Sequence, residues 1–298
     1  MTFSAGVKRE LCARPPERRC CAVAEAYGVL LYCNAFTPKE IRILTSSEDF
    51  SARLPRLFRK AFGLDFDSVP NNSGGKRSYK ISDKDKISTI FNTFGVDPAM
   101  ALTLHINLGM LENDCCRAAF IRGAFLAGGS ITSPDKRYHL ELCTAHKSVS
   151  REAYSLLLEM GFSPKEAQRA GNNLVYFKQS EAIEDFFTTI GAPVAAMDIM
   201  NAKVEKDMRN AINRKVNCDS ANADKTVAAA QEQLDRIRAI DREFGIDTLP
   251  EVLQEAALLR ITNPEASLTD LANLALPPVS KSCMNHRIKK LMSYKGDR

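Results

Sequence analysis

Cys115–Ser130 reads CCRAAFIRGAFLAGGS, and its small residues Cys115, Ala119, Gly123 and Ala127 recur at every fourth position. That spacing sets them along one side of a helix. A side lined by small atoms lets a second backbone approach far more closely than leucine or phenylalanine would allow. The matching surface lies earlier, in CCAVAEAYGVLLYCNA, where Cys20, Ala24 and Gly28 each sit 95 positions before Cys115, Ala119 and Gly123. Two copies of one small-faced helix predict a pseudo-symmetric pair packed along those six residues.

The repeat continues outward from both helices. Ile41–Thr45 is followed by a helical segment carrying Phe50, Leu54, Leu57, Phe58 and Phe62 and ending at Gly63. Tyr138–Thr144 is followed by Tyr154, Leu157, Leu158 and Met160, ending at Gly161. Further on, Ser78–Gly95 parallels Val175–Gly191, with Ile87 and Ile183, and Gly95 and Gly191, each 96 apart. An internal repeat of this size fixes the architecture before any single motif does. Each half reads as helix, strands, helix, strand, helix, so the fold class is α+β.

At these residues the chain resembles the LAGLIDADG homing-endonuclease fold. The resemblance implies two αββαββα-type halves with their signature helices side by side, and two antiparallel sheets forming a saddle over DNA. The motif is degenerate: Ala26–Asn34 reads AYGVLLYCN and Ile121–Gly129 reads IRGAFLAGG. Active members carry an acid at the eighth position of each copy to hold a divalent metal, because phosphodiester hydrolysis of this kind needs carboxylates that ligate hard cations. Here the eighth positions are Cys33 and Gly128. Neither ligates magnesium, so the reading is a nuclease fold without catalytic residues and without a metal. Inter-strand loops of that fold reach DNA, which would bring Lys76 and Arg77 of VPNNSGGKRS (69–78) into play. A plain hairpin turn fits the same residues equally well.

Composition bounds the rest. With 298 residues and 45% hydrophobic content, the chain has core enough for two domains. No apolar run approaches the roughly 20 residues needed to cross a bilayer, and MTFSAGVKRELC has no apolar signal core. Nine cysteines, two pairs of them adjacent and none in CxxC spacing, are not a secreted disulfide pattern. A reducing cytoplasm is the expected location, with association to the nucleoid, and no cofactor or membrane partner is expected. Adjacent helical residues diverge by roughly 100° about the axis. Cys20/Cys21 and Cys115/Cys116 therefore read as small thiols buried in a helix seam rather than as a metal or redox site.

The net charge of +5 is concentrated at one end. Residues 281–298 carry Lys281, Arg287, Lys289, Lys290, Lys295 and Arg298 against Asp297 alone, and the remaining 35 basic and 35 acidic residues balance. A focused basic end on a neutral body is a phosphate-binding footprint. The segment has helical punctuation as well. Thr248-Leu-Pro-Glu251 reads as a capping box opening a helix, Ser267-Leu-Thr-Asp270 opens a second, and Ser280 caps a third, KSCMNHRIKKLM. Met284, Ile288 and Leu291 face inward on that third helix. Lys281, Ser282, Asn285, His286 and Lys289 lie opposite, with Arg287 and Lys290 beside them. This is a helix-turn-helix pattern whose basic helix fits a major groove. Asn285 suits adenine, Lys281 or Lys289 suits guanine or phosphate, and Ser282 suits either.

Between the halves and this end, Met200, Val204, Met208, Ile212 and Val216 form a narrow apolar stripe. The polar stretch Asn213–Ala230 suggests a break, with Ser220 or Asn222 capping the next helix near Asp224–Phe244. The domain reading is 1–97 and 98–199 for the two repeats, 200–222 for a connector and 223–298 for the helix-turn-helix domain.

The order of these parts, with the strings RGAFLAGGS, NRKVNCDSANADKTVAAA, LPEVLQEAALLR, NPEASL and PPVSKSCMNHRIKKL, resembles the WhiA family of bacterial regulators across essentially the whole chain. The resemblance implies a degenerate LAGLIDADG domain joined to a helix-turn-helix, and a non-enzymatic regulator of transcription. It implies roles in sporulation, cell division and chromosome segregation, with double-stranded DNA as partner; the saddle would add either non-specific grip on DNA or a docking surface for a co-regulator protein. Internal pseudo-symmetry makes a monomer sufficient. Cys283 stands where the family pattern has glycine, and the first LAGLIDADG copy departs further from the motif than the second. Two other readings compete. One is an active metal-dependent endonuclease drawing acids from Glu25, Asp114 or Asp135; the other is a protein- or RNA-binding adaptor using the saddle.

Overall fold

The computed structural model of the chain describes residues 2–15, 18–70, 75–98 and 103–295. The chain divides into two units, Met1–Asp207 and Met208–Arg298.

In the first unit, α1 (Phe3–Ala13) precedes the first repeat: α2 (Arg19–Leu31), β1 (Ala35–Phe36), β2 (Ile41–Thr45), α3 (Glu48–Phe62), β3 (Arg77–Ile81) and α4 (Lys84–Thr93). The second repeat is α5 (Asp114–Gly128), β4 (Gly129–Ile131), β5 (Leu140–Thr144), α6 (Lys147–Glu159), β6 (Lys165–Arg169), β7 (Asn172–Phe177) and α7 (Ser180–Ile190). Both sheets are antiparallel, in the orders β1-β2-β3 and β4-β5-β7-β6. The second half is a full αββαββα unit. In the first, the strand equivalent to β6 shrinks to a bridge from Ser68 to Lys80. The fold class is thus the α+β pseudo-two-fold fold that the repeats predict.

Alternation explains which face each sheet buries. Ile41 and Ile43 of β2 are buried while Arg42 and Leu44 are exposed. Leu140 and Leu142 of β5 face inward opposite Phe177 and Val175 of β7. Aromatic rings fill each half: Tyr27 stacks on Phe94 at 4.1 Å, and Phe125 meets Phe187 edge-on at 5.5 Å. β6 is exposed throughout, as its sequence KEAQR suits an outer strand.

Between the halves, α2 and α5 pack backbone to backbone. A Cβ added to Gly28 would lie 2.0 Å from the Phe120 carbonyl oxygen, and one added to Gly123 would lie 2.0 Å from that of Glu25. Phe120 is 95 positions after Glu25, so each glycine meets the pseudo-symmetric counterpart of the other's partner. Beside this crossing, the fully buried Glu25 carboxylate accepts from Arg53 Nε at 2.5 Å and Nη2 at 2.8 Å, and Arg122 Nη1 lies 3.3 Å away. Arg53 and Arg122 therefore tie α3 and α5 to α2.

Beyond the second repeat, two expectations fail. One helix, α8 (Pro193–Glu243), runs without a break through residues 200–222, and neither Ser220 nor Asn222 begins a new helix. No glycine or proline occurs between Pro193 and Gly245, and asparagine or serine in a helix interior costs only a few tenths of a kcal/mol relative to alanine. The Glu10 carboxylate accepts from Val194 N and Ala195 N at 2.8 and 3.0 Å, satisfying the first turn. The second failure is Thr248. Its hydroxyl donates back to the carbonyls of Phe244 and Gly245, and α9 (Glu251–Thr262) starts with Pro250 at the N-cap and no side-chain cap.

The second unit closes with α10 (Leu268–Leu274) and α11 (Lys281–Ser293). Its core joins Ile237 and Ile240 of α8 to Leu253, Ala256 and Ala257 of α9, Leu271 of α10, and Met284, Ile288 and Leu291 of α11. Ser267 and Asp270 form a reciprocal capping box at α10, and Ser280 accepts from Cys283 N at α11.

Candidate nucleic-acid interface

Helices α9 and α10, with the end of α8, hold α11 in place. Met284, Ile288 and Leu291 are buried at helical spacing, which fixes the rotation of α11 about its axis. Lys281, Ser282, His286, Lys289 and Lys290 are left exposed, and Asn285 is half-buried. No carboxylate occurs within the helix, so nothing on it offsets its charge. Lys281, Ser282 and Asn285 occupy the N-terminal turns, the end that a helix-turn-helix presents to base edges and where backbone N–H groups favour phosphate.

Arg287 departs from this group. Its guanidinium donates to Glu255 of α9 at 2.7 Å, with the side chain 15% exposed. Glu255 also accepts from Leu276 N at 2.7 Å, so one carboxylate fastens both the α10–α11 turn and α11 itself. Arg260 is buried on the other side of α9 and donates to the Ala266 carbonyl at 2.6 Å, bracing the α9–α10 turn. Neither role is visible in the sequence, because both partners lie across turns and share no periodicity.

At the C-terminal end of α5 the backbone is closely packed. Gly128 is the last residue of α5; a Cβ there would lie 2.5 Å from the Cys143 carbonyl oxygen and 2.9 Å from Tyr32 Cδ1. The Cys33 thiol donates to the carbonyls of Leu30 and Ala35, and burial pushes it up to about 12. The alternative acids are dispersed. Glu25 is held by Arg53 and Arg122, Asp114 begins α5 about 21 Å along the helix from Gly128, and Asp135 accepts from Ser133 Oγ at 3.0 Å.

Residues 71–74 of the first inter-strand loop lie outside the described residues. Lys76 is exposed. Arg77 opens β3 and donates to Glu48 at 2.6 Å, with its side chain 12% exposed, so its guanidinium braces the sheet against α3. The outer face of the first sheet carries Arg42 and Lys80 in register, both near Glu40. On the second sheet Arg169 and His139 converge on Glu141.

The cysteines are arranged differently from the sequence reading. The Sγ atoms of Cys20, Cys21, Cys115 and Cys116 all lie within 4.8 Å of one another. Neighbouring side chains do diverge on one helix, but the glycine crossing brings α2 and α5 so close that both pairs reach the same point.

Among the described residues no helix is long and apolar enough to cross a membrane. The family described as the WhiA C-terminal HTH domain matches residues 212–295, and the WhiA LAGLIDADG-like domain matches residues 117–209. A protein named probable cell division protein WhiA from Ruminiclostridium cellulolyticum is 38% identical over 301 residues, covering 98% of this chain and 96% of its own. Its namesake from Heliobacterium modesticaldum is 36% identical over 307 residues, covering 98% and 95%. The crystal structure of full-length DUF199/WhiA from Thermatoga maritima superposes with a TM-score of 0.61 at 23% identity, with full coverage of both chains. That likeness speaks for the fold alone. With both domain families matched in order and identity above one third across nearly the whole length of two relatives, the chain belongs to the WhiA family.

Proposed function

We propose that this protein is a non-enzymatic, sequence-specific DNA-binding regulator of transcription. It acts in cell division and chromosome segregation, and in sporulation where the lineage sporulates. α11 reads DNA, and the LAGLIDADG-like unit has lost cleavage and serves as a docking surface for a co-regulator protein. The observation that carries this reading is the exposed face of Lys281, Ser282, His286 and Lys289, with half-buried Asn285 beside them, on a helix without a carboxylate, held by a core on its opposite side. The related proteins named for cell division support the physiological part. Support for the loss of cleavage comes from Gly128, where a side chain would collide with backbone, and from the thiol at Cys33.

The test is duplex selection from genomic fragments by the full chain, followed by affinity measurements over a salt series with and without magnesium. Lys281→Ala and Asn285→Ala each weaken the selected duplex by about 1–3 kcal/mol where the side chain reads a base, and leave folding unchanged. Unchanged affinity in both variants overturns the assignment to α11. Magnesium-dependent cutting overturns the non-enzymatic reading, and absence of any duplex affinity favours the adaptor alternative.

A further inference from the structure

Four thiols meet where α2 and α5 begin. Cys20 and Cys21 are the second and third residues of α2, and Cys115 and Cys116 hold the same places in α5. The four sulfurs lie within 4.8 Å of one another, and Cys20 Sγ is 4.0 Å from Cys21 Sγ. Cys21 and Cys116 form a buried floor, while Cys20 and Cys115 are exposed and leave a path of entry. All four are unpaired thiols.

These distances select among ligands. A tetrahedral Zn²⁺ with sulfurs at about 2.3 Å sets them about 3.8 Å apart, so rotamer adjustments of less than about 1 Å close the present cluster onto one ion. An iron–sulfur cluster distributes its cysteines over several iron atoms and needs a wider cage. Thiolates are soft ligands, which disfavours magnesium and calcium and favours zinc. The electrostatics agree. Both helices point their positive ends at the cluster, where a metal–tetrathiolate centre would carry net negative charge. Arg18 lies close enough to the Cys20 thiol to act on it, while Arg117 turns away to the Leu111 carbonyl and Glu159.

We propose that Cys20, Cys21, Cys115 and Cys116 form a four-thiolate site for one zinc ion, joining the two pseudo-symmetric helices at the end opposite Cys33 and Gly128. Each half contributes two ligands, so the ion fastens one repeat to the other. Binding releases the thiol protons to solvent. Protons therefore compete with the ion for the four sulfurs.

The experiment uses the full chain, purified under reductant and stripped with a chelator, with Co²⁺ as the optical probe. Thiolate-to-cobalt charge-transfer bands and tetrahedral d–d bands saturate at one Co²⁺ per chain and are bleached by one equivalent of Zn²⁺. Cys20→Ser and Cys115→Ser, at the exposed positions least needed for folding, each lower zinc affinity by more than about 100-fold, beyond the loss of a merely supporting group. A Cys218→Ser/Cys283→Ser chain keeps the full signal. The proposal fails if the unmodified chain shows no charge-transfer bands, or if the bands persist at equal strength in the Cys20→Ser/Cys115→Ser chain while circular dichroism shows it folded.

Discussion

Helices α5 and α11 carry the two signals that matter most, and they spend their residues in opposite ways. α5 buries Cys116, Ala119, Phe120, Ile121, Gly123, Ala124, Phe125 and Leu126 and contacts neighbours on nearly every side. α11 buries only Met284, Ile288 and Leu291. On α5 each residue type is dictated by packing, down to the absence of a single Cβ at Gly123. On α11 Lys281, Ser282, His286, Lys289 and Lys290 are exposed, so packing does not dictate their types. The comparison separates a helix that builds the fold from a helix that displays chemistry.

The sharpest way to break this comparison is to add atoms to the seam. Gly123→Val forces a side chain into the Glu25 carbonyl, and we expect a loss of more than about 4 kcal/mol, visible as loss of the cooperative melting transition. A soluble variant with an unchanged melting temperature would mean that the helices do not touch as described. Next in size is Arg53→Ala, which leaves the buried Glu25 carboxylate short of its main partner. Chemical denaturation at neutral pH should show a cost of about 3–5 kcal/mol.

Two neighbours on α11 then sharpen the contrast within a single helix. Arg287→Ala removes the bond to Glu255 and destabilises the C-terminal unit by about 1–3 kcal/mol. Lys289→Ala leaves stability within about 0.5 kcal/mol, yet lowers the slope of log affinity against log salt by about 1. Equal effects of the two on stability would erase the distinction between bracing and reading. Ser280→Ala tests the cap alone. Losing its bond to Cys283 N costs about 0.5–2 kcal/mol in thermal melts, with DNA specificity retained.

The legible parts of the chain were those governed by neighbours in sequence. Small residues at every fourth position, the 95-residue offset, the caps at Ser267 and Ser280 and the inward stripe of α11 are all local patterns, and each stands in the structure. Local signals also misled. Thr248 has the spacing of a capping box, but its hydroxyl satisfies the carbonyls ending α8 instead. The polar stretch around Ser220 resembles a boundary, yet without glycine or proline nothing there costs enough to stop a helix.

The sequence alone determined the repeat, the fold class and which face of α11 is buried, because backbone periodicity and side-chain type suffice for these. The tertiary structure alone decided where the charges go. Arg53 and Glu25 lie 28 positions apart, and Arg287 and Glu255 lie 32 apart, and whether an arginine braces the fold or meets a partner depends on which carboxylate is within reach. It also decided that four cysteines from two helices share one point, because the distance between helices is set by the absence of two Cβ atoms at Gly28 and Gly123.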